Sequence, residues 1–169
     1  MTAASLYHHF PNKQDILRVV MTTIMQDVLT TTRDALLRSG AEPSEQLAGL
    51  VAAWVEFHAN RRVEARVGAS ELPYLDDEGR RLVVALRDQQ EQMFVSVVNR
   101  GVQEGVFATA QPREAARAIV NMGTAVASWF RDDGTVTAQD LAQLYARFAL
   151  SLVGWKGGGE EGIDSGLAH

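Results

Sequence analysis

The chain has 169 residues, 46% hydrophobic and 22% charged, which suits a soluble folded domain and excludes a wholly disordered one. No apolar run approaches the roughly 20 residues a membrane helix needs, and the chain does not open like a signal peptide. With no cysteine, disulfides, thiolate catalysis and cysteine-based zinc sites are excluded, so a cytoplasmic location is expected; the net charge of −5 means that any nucleic-acid contact must be local.

Four prolines, at 11, 43, 73 and 112, divide the chain into long segments of helical periodicity. No alternating strand pattern of useful length and no internal repeat is found. The first segment, Thr2 to Phe10, reads as a short helix with Thr2 as N-cap. A second helix starts at Asn12, with Asp15 placed as in a capping box. Its expected stripe is Ile16, Leu17, Val20, Ile24, Val28, Leu29 and Leu36, and it ends near Ser39-Gly40.

Pro43 opens a third helix, with Leu47, Leu50, Val51, Trp54, Val55 and His58 at spacings of three and four. Arg61 to Leu75 holds a short helix and a turn near Pro73. A long helix over about Asp76 to Glu104 carries Leu82, Leu86, Met93, Val97 and Val102. Gly105 is its C′ residue, and Phe107 packs just beyond. Pro112 opens a helix running to about Trp129. Asp132-Asp133-Gly134 is a turn. Thr137, with Asp140 three residues on, starts a last helix bearing Leu141, Leu144, Tyr145, Phe148, Ala149 and Leu152. Six of the 14 glycines fall between Gly154 and Gly166, so a flexible tail is expected over 154–169. The fold class is all-α.

The informative stretch lies at the start: Thr-Ala-Ala-Ser-Leu-Tyr-His-His-Phe-Pro-Asn-Lys-Gln-Asp-Ile-Leu over residues 2–17. Leu6 and Phe10 share one helical face and would anchor it. Ala3, Ala4, Ser5, Tyr7 and His8 would point outward. Small residues let a helix end approach base edges, while Tyr, His and Lys are good phosphate partners. Lys13 also sits at a helix N-terminus, where backbone N–H groups attract phosphate. Capping of an ordinary helical domain by Tyr7, His8 and His9 is the plainer alternative.

The run Ser5-Leu6-Tyr7-His8-His9-Phe10-Pro11-Asn12-Lys13 closely resembles the recognition helix and following turn of TetR-family transcriptional regulators. Gly101-Val102-Gln103-Glu104-Gly105-Val106-Phe107 also resembles the close of the long helix in that family. The resemblance implies a DNA-binding helix-turn-helix joined to an all-helical ligand-binding and dimerisation domain. It assigns residues 1–13 to a remnant of the DNA-binding domain and 14–153 to the regulatory domain. Thr2, Ala3, Ser5, Tyr7, His8 and Lys13 would meet double-stranded operator DNA, with Tyr7, His8 and Lys13 mostly on phosphates. Two helices precede this run in the family, whereas here Met1 stands directly before it. The expectation is therefore a chain that lacks them and binds its operator weakly or not at all.

The implied ligand pocket lies between the middle helices. Its candidate lining is Trp54, Phe57, His58, Met93, Phe94, Met122, Trp129 and Phe130, since aromatic and Met side chains line apolar pockets. The same residues at helical spacing also make ordinary core. Trp129-Phe130-Arg131-Asp132-Asp133-Gly134 and the last helix look similar to members that control lipid or sterol catabolism, some of which sense acyl-CoA thioesters. Arg61, Arg62, Arg66, Arg80 and Arg81 would then meet phosphates, or would simply be solvated surface charges.

The last two helices resemble the family's dimer interface. Ala116, Ile119, Gly123, Val126 and Ala127 recur along one face, and Leu144, Phe148 and Leu152 add bulk. Pairing these from two chains would build a homodimeric four-helix bundle; burial within one monomer is the alternative. No catalytic, phosphate-cradle or dinucleotide motif is present. His8 and His9 are adjacent and make a poor metal pair. The reading is a regulator, most simply a repressor, released by a small apolar effector, with no enzyme activity, metal, cofactor or membrane partner. A helical dimeric ligand-binding or adaptor protein without DNA binding is the alternative.

Overall fold

Asn12 caps the first described helix: its side chain accepts from the Asp15 backbone N–H at 2.9 Å, one donor that the helix itself cannot satisfy. The computed structural model describes residues 12–157. Helix α1 spans Lys13–Arg38, about 39 Å at 1.5 Å per residue. It buries Met21, Ile24, Met25, Val28, Leu29 and Thr32. Val20, expected on that stripe, is exposed. It lies roughly 100° round the helix from the centre of the buried face.

Helix α2, Pro43–Asn60, is the centre of the molecule. Its expected stripe is buried from Leu47 to His58. Helix α3 follows at Arg62–Ser70, then a 3₁₀ turn at Leu72–Tyr74. Helix α4, Asp77–Gln103, is capped by the Asp76 side chain on the Gly79 N–H. Helix α5 spans Pro112–Thr124, the single turn α6 Val126–Trp129, and helix α7 Ala138–Leu152. The capping pair of Thr137 and Asp140 is formed as expected. The predicted single helix from Pro112 to Trp129 is interrupted at Ala125, where the chain turns before α6. All regular elements among the described residues are helical. None is long and apolar enough to cross a membrane.

Helix α2 packs against α7, α1, α4 and α5. The buried face of α4 is Gly79, Val83, Gln90, Phe94, Val97, Val98 and Gly101, with Val95 beside it. It is rotated from the expected stripe: Leu82 is exposed and Met93 only half-buried. The cause is Gln90, a polar residue at the middle of the true face, which apolar periodicity passes over.

The end of α4 follows the expected form. Gly105 has φ +73°, the Val106 N–H donates to the Gly101 carbonyl at 2.8 Å, and the Gly105 N–H to Val102. These are the two bonds of a Schellman close. Phe107 folds back onto Gly101 and is buried. The same close ends α7: Gly154 has φ +72° and the Trp155 N–H donates to the Leu150 carbonyl. Trp155 packs against the core. Packing thus continues into the expected tail as far as Trp155, and residues 158–169 lie outside the described residues.

Candidate ligand-binding cavity

Five helices line a half-open cavity of about 340 Å³, within the size range of small-molecule sites. Helix α1 supplies Ile24, Met25 and Val28, and α2 supplies Trp54, Phe57 and His58. Helix α3 gives Ala65, Gly68 and Ala69, small residues that leave the space open. Helix α4 contributes Arg87, Gln90 and Glu91, and α5 Val120, Asn121 and Thr124. The wall is therefore apolar on α1 and α3, and its polar groups are His58 on α2, Arg87, Gln90 and Glu91 on α4, and Asn121 and Thr124 on α5.

Trp54 is fixed from several sides. Its indole N–H donates to the Val120 carbonyl at 3.0 Å, its ring meets Phe94 edge-on at 6.0 Å, and Gly123 lies against it. His58 sits one turn further, its ring 4.3 Å from that of Trp54. His58 Nδ1 is 2.8 Å from the Trp54 carbonyl. Burial pushes the His58 pKa down, and the bond to the carbonyl only partly offsets this. The neutral ring then donates from Nδ1 and leaves Nε2 as an acceptor.

Gln90 is 1% exposed. Its Oε1 lies 3.0 Å from the Thr32 hydroxyl of α1, and its Nε2 has no hydrogen-bond partner. Arg87 is half-buried, and burial lowers its pKa. It donates to the Gly68 carbonyl and has no carboxylate within ion-pair distance among the described residues. Glu91, on the same wall, is held by Arg117 of α5 at 3.2 Å. Helix α1 is tied to the rest by Arg61 with Asp27 at 2.8 Å, Arg18 with Glu78 at 3.1 Å, and the Thr32–Gln90 contact.

Of the expected pocket residues, Trp54, Phe57 and His58 line this cavity. Phe94 does not: it is solid core behind Trp54. Met93 borders a separate shallow groove with Leu36 and Gln46. Met122 is half-buried off the wall, Trp129 is half-exposed, and Phe130 is buried beside Trp129 with its carbonyl accepting from Arg62 at 2.6 Å. These five are displaced because α4 is rotated from its expected face and because the chain breaks at Ala125. Sequence reading missed the α1 and α3 walls and the polar residues Gln90 and Arg87. Gln90 was detectable as the one polar residue at the centre of a long helix's buried spacing.

Four of the five arginines have structural partners, and Arg81 is exposed. Arg61 bridges Asp27 and Glu64. Arg62 reaches Phe130 and Asp132. Arg66 donates to the Ala127 and Ser128 carbonyls, and Arg80 to that of Pro73. The expected dimer stripe of Ala116, Ile119, Gly123, Val126 and Ala127 is corrected: all five are buried within the chain. Helix α5 uses its small residues to approach α2, and Gly123 makes room for Trp54. Of the bulky residues, Leu144 is half-buried, whereas Phe148 and Leu152 are 47% and 43% exposed. Of the expected DNA contacts, Lys13 is exposed at the first turn of α1, and Thr2, Ala3, Ser5, Tyr7 and His8 lie outside the described residues.

Residues 40–153 match the family described as "Tetracyclin repressor-like, C-terminal domain". The HTH-type transcriptional repressor KstR2 of Mycobacterium tuberculosis strain H37Rv is 29% identical over 150 residues, 88% of this chain and 74% of that protein. The solved structure of the M. tuberculosis ketosteroid transcriptional regulator KstR2 superposes with TM-score 0.79 and 27% identity, covering 89% of this chain and 78% of that one. A tetR-family regulatory protein from Rhodococcus RHA1 superposes with TM-score 0.83 and 27% identity, covering 92% and 81%. AibR, solved with isovaleryl coenzyme A and operator DNA, shares the fold at TM-score 0.78 with 22% identity, covering 90% and 81%.

Proposed function

Since the chain belongs to the TetR family of transcriptional regulators, which are regulators rather than enzymes, we propose that it is an effector-released repressor whose effector enters the cavity between α1, α2, α3, α4 and α5. The observation that carries this reading is the position of α1. Its middle, at Ile24, Met25 and Val28, forms one wall of the cavity. Its first turn, at Lys13, adjoins the segment that resembles a recognition helix. A ligand touching this wall therefore contacts the helix that sets where the DNA-binding end points.

The coupling needs no further device. Two recognition helices must sit about 34–36 Å apart to read successive major grooves. A ligand that binds one setting of α1 better than another shifts the population toward it. A solid core would favour the adaptor alternative; the cavity favours a sensor. The effector is small and largely apolar, of the acyl-thioester or lipid-derived class. This assignment draws on the apolar walls and on AibR, which accommodates isovaleryl coenzyme A on the same fold.

The homodimer is proposed to form through the outward side of α7, where Leu144, Tyr145, Phe148 and Leu152 share one helical face. The Tyr145 and Phe148 rings meet there at 5.9 Å, tilted by 46°. Selection of duplexes from a random DNA pool tests the whole reading. Enriched duplexes are expected to carry paired half-sites about 10 base pairs apart and to be released by octanoyl coenzyme A. No enrichment together with no binding of octanoyl coenzyme A would instead favour the adaptor.

A further inference from the structure

The cavity is lined by apolar side chains of α1, α2 and α3, and its polar side chains are His58 of α2, Arg87, Gln90 and Glu91 of α4, and Asn121 and Thr124 of α5. Gln90 is 1% exposed, yet its Nε2 has no partner. A buried amide donor normally finds one. One turn N-terminal on the same helix, Arg87 also reaches the cavity wall. Of its five N–H donors, only the bond to Gly68 is accounted for among the described residues. The acidic side chain on the same wall, Glu91, is neutralised by Arg117. The remaining titratable group on the wall, His58, is kept neutral by burial. The wall thus offers an unpaired amide donor and a cation without an ion-pair partner among the described residues, the wall's one acid, Glu91, being engaged by Arg117.

We propose that Gln90 and Arg87 form an oxygen-acceptor pole that receives the acyl end of the ligand, Gln90 Nε2 donating to its carbonyl or carboxylate oxygen and Arg87 facing the negative charge. This rests on the sensor reading above. The rest of the cavity then holds the hydrocarbon body. A half-open space of about 340 Å³ lies at the small end of ligand sites, and a thioester's coenzyme A would extend out of its mouth. Ligand capture at Gln90 also reaches α1 directly, because Gln90 Oε1 contacts Thr32.

Two sources share this chemistry, a free carboxylic acid and its thioester. Titration calorimetry on the whole chain with octanoate, octanoyl coenzyme A, octylamine and toluene separates them. Wild type is expected to bind octanoate or its thioester at least about tenfold more tightly than octylamine, as a charged hydrogen bond would give. Gln90→Leu is expected to lower that affinity about tenfold or more while raising Tm, because it removes a buried unpaired donor. A merely structural Gln90 would lose stability instead. Wild type binding octanoyl coenzyme A but not octanoate identifies the thioester as the ligand; where octanoate binds, Arg87→Gln is expected to weaken it about tenfold or more, as loss of a charged hydrogen bond would, and an unchanged octanoate affinity would remove Arg87 from the pole. Octylamine or toluene binding as well as octanoate, or Gln90→Leu binding like wild type, would overturn the pole and leave the sensor reading intact. Binding of none of the four would overturn both.

Discussion

Trp54 donates its indole N–H to the Val120 carbonyl at 3.0 Å, locking α2 to α5 at the edge of the cavity. The bond requires the ring to lie where a side chain on Gly123 would be. A Cβ added there would stand 2.3 Å from Trp54 Cδ1. Gly123→Ala is expected to cost about 1–3 kcal/mol, the usual range for overpacking, and to lower Tm without changing the oligomeric state. Chemical denaturation and light scattering check the two halves. A monomeric Gly123→Ala would restore α5's small-residue face to the interface.

The outward face of α7 carries the dimer proposal. Phe148 is 47% exposed, so Phe148→Glu removes little core packing. A charge placed there in both protomers would be desolvated and repelled on association. Wild type is expected to be dimeric at micromolar concentration by light scattering, and Phe148→Glu to be monomeric with a nearly unchanged circular dichroism spectrum. A monomeric wild type would contradict the proposal.

His58 makes stability depend on pH with a definite sign. Burial holds its pKa below 6.5, so the unfolded chain takes up a proton that the folded ring resists. Stability rises with pH wherever the unfolded state binds more protons. His58's contribution is therefore complete above about pH 6.5 and is lost as pH falls from there through the folded-state value. Denaturation midpoints are expected to fall between about pH 7.5 and about pH 5.5, and to fall less in His58→Phe. Equal slopes in the two proteins would remove His58 as the cause.

Two glycines at the end of α4 separate conformation from crowding. Gly105 has φ +73° and nothing within 4 Å of an added Cβ. Gly105→Ala should cost about 1 kcal/mol through the backbone alone. A Cβ on Gly101 would lie 2.1 Å from the Phe107 ring. Gly101→Ala must displace a buried aromatic and should cost more, about 2–3 kcal/mol. Urea denaturation of the two variants gives the order, and the reverse order would contradict the packing of Phe107.

Most of the fold was legible because its boundaries are chemical. Asn12, Pro43, Asp76, Pro112 and Thr137 each start a helix where capping or proline geometry says one should start, and Gly105 ends one where a positive φ is needed. The half of the cavity on α2 was legible for a similar reason: Trp54, Phe57 and His58 stand out on an apolar stripe. The other half was not. Ala65, Gly68 and Ala69 shape it by being small, which no local pattern marks as a wall. Gln90 and Arg87 sit on the buried face of α4 against the rule that polar residues face water, and reading by that rule turned the whole helix. The inward face of α5 was misplaced because a stripe of small residues fits a close approach within one chain as well as between two.

The central claim is that a ligand in the cavity moves α1 and so changes the separation of the two DNA-binding ends. The chain contains no cysteine, so Thr23→Cys, on the exposed side of α1, gives one spin label per protomer. Electron–electron distance measurement between the labels, with and without saturating octanoate or octanoyl coenzyme A, reads the movement directly. The account predicts a distance distribution that shifts by about 1–2 Å or more, the scale of helix shifts in such transitions, and that the Gln90→Leu variant needs more ligand to reach the same shift. An unchanged distribution at ligand concentrations that calorimetry shows to be saturating would contradict it.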